Sequence, residues 1–179
     1  ALSQYPDSLA LYDNVAVAYS NLGEDKVAIQ LMLRKDSLSP NQYETQANLG
    51  TFYIHDRQYE TGLKHIKKAI EINPEAHFGR EVYQQYLVEY VMSKVKGKSP
   101  NLPLANMFRD QGPPSVDKEP NFNNFILNKY NEKNGTSERY IPLEERQRAV
   151  KGILGMMRFG NHKSPILLEA LGDLMSSNR

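Results

Sequence analysis

Apolar residues in the first half of the chain recur every three or four positions in short runs, and prolines punctuate those runs. Leu9, Tyr12, Val15, Ala16, Tyr19 and Leu22 share one face of a helix, Gly23-Glu24-Asp25 supplies a turn, and Val27, Ala28, Leu31, Met32 and Leu38 form a second stripe. The plan then recurs. Ala47, Leu49, Gly50, Phe52 and Tyr53 lead into a turn at His55-Asp56-Arg57-Gln58, followed by Tyr59, Gly62, Leu63, Ile66, Ala69, Ile70 and Ile72. Pro6, Pro40 and Pro74 lie 34 residues apart twice over, each where one helix stops and the next begins. Two antiparallel helix pairs in succession are predicted, aligned without a gap. A third first helix, longer than its predecessors, is predicted from about Ala76 to Lys96 on Phe78, Val82, Tyr83, Tyr86, Leu87, Tyr90, Val91 and Val95.

The second half departs from this plan. Residues 97–121 hold Pro100, Pro103, Pro113, Pro114 and Pro120 among few apolar positions, which reads as a long irregular connection. Leu102, Leu104, Met107 and Phe108 are its candidate anchors, and one expectation is that they lie in a groove on the first helices and occlude it. Three helices are predicted beyond it, at roughly Phe122 to Lys133, Leu143 to Phe159 and Ser164 to Ser176. Turn signals at Asn134-Gly135-Thr136 and Phe159-Gly160-Asn161 separate them. The organisation is therefore repeats over 1–96, a connection over 97–121 and C-terminal helices over 122–179.

Certain residues carry a resemblance to a known family. Gln46-x-x-Leu49-Gly50-x-x-Tyr53 with Ile72-Asn73-Pro74 resembles the tetratricopeptide repeat (TPR) pattern, and Tyr12-x-x-Val15-Ala16-x-x-Tyr19 with Ala28-x-x-x-Met32 and Pro40 is similar in residue class. Gln46 stands in the usual tryptophan slot and Gly62 where alanine is usual. Leu168-x-x-Leu171-Gly172-x-x-Met175 looks like the same first-helix pattern again, so the last helix is expected to cap the array. The resemblance implies an all-α fold: a right-handed superhelical stack of antiparallel helix pairs, a TPR-like α-solenoid, with a long loop and a C-terminal helical extension. Small Ala16 and Gly50 are expected to let each first helix approach its partner, with Tyr19 and Tyr53 filling the space beside them. Ala1 and Tyr5-Pro6 sit where the tail of a preceding repeat is expected.

Composition narrows function by exclusion. The chain has 179 residues and no cysteine, which removes disulfides, thiolate metal sites and cysteine nucleophiles. Its histidines are His55, His65, His77 and His162, none paired at the helical spacing a metal site wants. No nucleophile elbow, phosphate-binding loop or zinc-protease helix occurs, so no enzyme and no cofactor is expected. No apolar run is long enough to span a bilayer, and the N-terminus Ala1-Leu2-Ser3-Gln4 does not read as a signal sequence. The compartment, cytoplasmic or exported, stays open. Residues 1–90 carry 12 acids against 8 bases, a net of −4, and residues 91–179 carry 9 acids against 14 bases, a net of +5. Arg139, Arg146, Arg148, Lys151 and Arg158 are interrupted by Glu144 and Glu145 and read as a solvated face, so nucleic acid is not an expected partner.

First helices of a curved stack line a concave face that receives a peptide or protein segment. The first-helix positions left over by the packing stripes are Asp13, Asn14 and Val17, then Glu44, Asn48, Thr51 and His55, then Glu81, Gln85 and Glu89. This acidic, amide-rich set is the candidate partner-binding face, and the competing reading is a merely solvated surface. Some TPR proteins grip a chaperone's C-terminal carboxylate with lysine and asparagine on consecutive first helices. This chain has Asp13 at the first such lysine and Val17 at an asparagine, so that ligand is not expected.

Overall fold

The computed structural model describes residues 8–95, 100, 102–105, 121–160 and 163–176, and every regular element among them is helical. Two compact units divide between Ala76 and His77. The first contains α1 (Leu9–Asn21), α2 (Asp25–Leu38), α3 (Tyr43–His55) and α4 (Tyr59–Ile72). The proline spacing is also the backbone spacing. Helices α1 and α3 have 13 residues each and α2 and α4 have 14 each, and each pair starts 34 positions apart. The turns repeat as well: Gly23 and Arg57 take left-handed φ values of 81° and 62°. The next N–H groups, of Glu24 and Gln58, donate to the carbonyls of Tyr19 and Tyr53 at 2.9 and 2.8 Å. Glycine adopts that backbone freely, whereas Arg57 bears roughly 1 kcal/mol of strain.

Successive helices of this unit pack in order, α1 on α2, α2 on α3 and α3 on α4. Tyr12, Ala16, Ala28, Ile29, Met32, Leu49 and Phe52 form its main core. The small residues act as expected. A Cβ on Gly50 would lie 2.5 Å from Ile66 Cδ1, and one on Gly62 would lie 2.7 Å from Ile54 Cγ1 and 2.9 Å from the Gly50 carbonyl oxygen. At Gly62, therefore, α3 and α4 approach too closely for a methyl group. Tyr53 is half-buried and stacks on His65. Tyr19, expected to fill the equivalent space, is exposed instead. The residue 34 positions before His65 is Leu31, which offers no ring face.

The second unit contains α5 (Arg80–Lys94), α6 (Phe122–Asn134), α7 (Leu143–Phe159) and α8 (Pro165–Ser176). Helix α5 packs on α6 and α7, and α8 closes against both. The unit therefore starts 20 residues before the boundary at 97 that the sequence suggests, and α5 belongs with the C-terminal helices. The helix expected from Ala76 begins only at Arg80. His77, Phe78 and Gly79 take φ values of 48°, 63° and 71°, a left-handed turn that leaves Phe78 84% exposed rather than on the apolar stripe.

Tyr83, Leu87, Tyr90 and Val91 of α5 share a core with Phe122, Phe125, Ile126, Ile153 and Leu174. The Tyr90 ring lies 5.6 Å from both Phe122 and Phe125. A Cβ on Gly152 would meet Tyr83 Cδ2 at 2.7 Å, so this glycine is a close-packing site. Helix α6 is capped by Asn121, whose Oδ1 accepts from the Asn124 N–H at 2.9 Å, and ends at left-handed Gly135. Helix α7 opens with Glu144 and Glu145 and closes with Arg158, each sign matching the helix dipole.

Leu104 is buried in the second unit's own core, which includes α5, and the Ala105 N–H donates to Glu169 at 2.6 Å. Leu102 is exposed, and Met107 and Phe108 lie outside the described residues. In α8 the Leu-x-x-Leu-Gly pattern does not pack as it does in α3. Gly172 faces open space and Leu168 is half exposed, because α8 buries Ala170 and Leu174 instead.

Candidate functional site

The polar side chains of α1 and α3 are tied to α2 and to one another. Asp13 pairs through Oδ2 with Lys35 Nζ and accepts from Asn48 Nδ2 at 3.1 Å through Oδ1, which joins α1, α2 and α3 at one carboxylate. Lys35 is only 4% exposed. Near the ends of α1 and α3, the Ser20 hydroxyl donates to Asp25 Oδ1 at 2.6 Å and lies 3.2 Å from His55 Nδ1. His55 Nδ1 is itself 3.5 Å from the Asp25 carboxylate.

A second network runs underneath. Gln46 is fully buried; its Nε2 donates to Asp36 at 2.9 Å, which leaves its Oε1 to accept from His65 Nδ1 at 2.7 Å. That polarity fixes the His65 proton on Nδ1. Burial pushes the His65 imidazole below its ordinary pKa; the Asp36 charge opposes this and the Lys68 charge adds to it. Gln46 thus bridges polar partners on two other helices, Asp36 on α2 and His65 on α4.

The ten sequence-predicted residues divide accordingly. Asn14 and Glu44 are exposed, and Val17 is half-buried. Asp13, Asn48 and His55 belong to the lattice just described. The Thr51 hydroxyl donates back to the Ala47 carbonyl at 2.9 Å. Glu81, Gln85 and Glu89 belong to the second unit and are held within it. Glu81 is 2% exposed and accepts from Arg80 Nη2 at 2.6 Å, with His77 Nδ1 at 3.4 Å. Gln85 donates to Glu89 at 2.9 Å, and Glu89 pairs with Lys129 at 3.0 Å. Burial works to lower the Lys129 pKa, but the hydrogen bond and charge of Glu89 outweigh it and hold the ammonium above its usual value.

Lys35, Asp36, Ser20, Asp25 and His65 escaped the sequence reading. Lys35 carried a signal: it falls in the apolar register of α2 after Ala28 and Met32, where a charge needs a buried partner. In the second unit the Tyr83 hydroxyl donates to Glu145 at 3.0 Å, and burial, followed by that carboxylate, raises its pKa. Burial also raises the Asp173 carboxyl, although the Phe122 N–H donated to it at 2.9 Å works the other way.

Among the described residues no three His, Asp or Glu side chains are grouped to hold a metal ion, and no helix is long and apolar enough to cross a membrane. His162 lies outside the described residues. Arg139, Arg148, Lys151 and Arg158 are exposed and Arg146 is half-buried. Asn134 is exposed and donates to the Tyr130 carbonyl at 2.8 Å.

Compared with protein-family models, curated proteins and solved structures, the chain matches none. What stands is an all-α, helical-repeat-like architecture carrying a cross-braced polar face.

Proposed function

We propose that the chain is a non-catalytic protein-interaction scaffold whose helix pairs stack as a TPR-like, right-handed solenoid and whose concave face holds a peptide or partner protein. One observation carries this reading: a single carboxylate, Asp13, braces three successive helices, and Asn14 and Glu44 on two of those helices stay exposed. A face held rigid before contact loses little entropy on binding, which favours recognition over simple solvation. Its exposed chemistry is an amide and a carboxylate, suited to an extended segment rich in backbone donors and basic side chains. Lys35 shares its charge with Asp13, so this face offers no cationic end to a terminal carboxylate.

A displayed library of random peptides tests the proposal. Enriched peptides should weaken by about tenfold or more on Asn14→Arg and on Glu44→Arg, a loss of about 1.4 kcal/mol each. Failure to enrich over an unrelated helical protein, or binding indifferent to both changes, refutes it. A second reading, a structural spacer or oligomerisation segment with no ligand of its own, is favoured by the commitment of Asp13, Asn48, Glu81, Gln85 and Glu89 to partners within the chain. A library that selects nothing supports that reading.

A further inference from the structure

We infer that a groove between α7 and α8 in the second unit binds an acidic, apolar peptide segment of a partner protein. A cavity of about 510 Å³ opens there, lined by Arg146, Gln147, Val150 and Lys151 of α7 and by Leu174 and Met175 of α8. Leu174 is fully buried and makes an apolar floor with half-buried Val150, while Met175, 62% exposed, stands at the rim. Two cations line this space and no carboxylate does. Lys151 and Gln147 have no hydrogen-bond or ion-pair partner among the described residues. Elsewhere in the unit the basic side chains are matched, Arg80 by Glu81 and Lys129 by Glu89. The acids that could do the same here are turned to other partners: Glu145 to the Tyr83 hydroxyl, Glu169 to the Ala105 N–H and Asp173 to the Phe122 N–H. Exposed Glu144 lies two turns before Lys151 and outside the lining.

A positive wall beside an apolar floor selects a ligand that carries both negative charge and hydrocarbon. Its carboxylates meet the cations without stranding a charge, and its apolar part takes the floor out of water. Two features favour a peptide over a compact anion. The first is how the charges are placed. Arg146 and Lys151 are five positions apart, about 140° around the helix, with Gln147 and Val150 between them. They present charge from two sides, which suits carboxylates at two positions of a segment better than a single head group. The second is that the apolar surface runs past the cavity at both ends. Leu143, 68% exposed, lies one turn before Gln147, and exposed Leu154 lies one turn after Val150. From Leu143 to Leu154 the helix advances about 16 Å, the span of about five extended residues. Helices α6 and α8, on either side of α7 in the chain, are both in place and leave this surface open.

Fluorescence anisotropy of a short labelled peptide of alternating glutamate and leucine tests this on the intact chain. The peptide should bind about tenfold or more tightly than versions with glutamine for glutamate or serine for leucine. Lys151→Glu should weaken it about tenfold, whereas Arg148→Glu, exposed on α7 but outside the cavity, should leave it unchanged. Gln147→Glu with Lys151→Glu should instead take a peptide alternating lysine and leucine. All three positions are exposed, so each variant should retain its helical circular dichroism. Absence of saturable binding overturns the inference. Equal binding of the glutamine version overturns it too, as does a loss on Arg148→Glu as large as that on Lys151→Glu. The site lies in the other unit from Asn14 and Glu44 and takes the opposite charge, so the two binding faces can fail independently.

Discussion

The two units solve the same packing problem with opposite materials. The first brings helices close by removing side chains: Gly50 and Gly62 let α3 and α4 touch, and polar groups bridge the remaining gaps through Gln46 and Asp13. The second fills its space with rings. Tyr90, Phe122 and Phe125 cluster at its centre, and Gly152, under Tyr83, marks a close approach. Their polar contacts differ in reach as well. Acceptors in the second unit tie down distant backbone, as Asp173 does for Phe122 and Glu169 for Ala105, whereas the first unit's lattice links neighbouring helices. Small-residue packing tolerates little addition, and ring packing tolerates little removal.

That contrast sets an order of vulnerability. The largest effect is expected from Phe122→Ala, which empties a fully buried ring site. It should cost about 3 to 5 kcal/mol, and amide exchange should show the loss in α5 to α8 while α1 to α4 keep their protection. Gly62→Ala is its counterpart. The added methyl meets backbone at Gly50, which no side-chain rotation relieves, so chemical denaturation should show about 1 to 3 kcal/mol lost from the first unit. A Gly62→Ala protein as stable as the parent would mean that α3 and α4 have room to separate.

Lys35→Met should cost about 2 kcal/mol by leaving the Asp13 carboxylate to Asn48 alone. The double variant with Asp13→Asn should recover most of that loss, and denaturation of the three variants checks it. His65→Gln should change the pH response of the first unit. Because the His65 pKa is lowered in the folded chain, the unfolded chain binds its proton first as pH falls. The stability contributed by keeping this imidazole neutral is present above the ordinary histidine value and is lost on acidification through the folded value. The melting temperature of His65→Gln should therefore drop less than the parent's between about pH 8 and pH 5. The smallest effect is a gain. The Thr45 hydroxyl is buried with no hydrogen-bond partner among the described residues, so isosteric Thr45→Val should add about 0.5 to 1 kcal/mol.

The first unit was open to reading because its contacts are local and periodic. Helix boundaries followed from apolar spacing and proline position, and the requirement for small residues at 16 and 50 followed from the pattern. What escaped was chemistry that crosses helices. Nothing in the periodicity of α2 says that Lys35 meets Asp13, 22 positions earlier, or that Gln46 turns one end to Asp36 and the other to His65. The second unit was harder for the same reason at greater range. Tyr83 meets Glu145 across 62 residues, and Leu104 finds a core built from four other helices. The left-handed turn at His77 and Phe78 was signalled only by the neighbouring Gly79, since both residues suit a helix. Of the candidate face, the positions on α1 and α3 were legible as polar, but the identity of those already spoken for was not.

The Asp36–Gln46–His65 bridge also makes the two hairpins non-interchangeable. The residues 34 positions from Gln46, His65 and Asp36 are Tyr12, Leu31 and Ile70, so a chain with its modules shuffled would strand the carboxylate and the imidazole without their shared amide. Duplication could copy the backbone, but serial order along the polypeptide is written in side chains such as this triad.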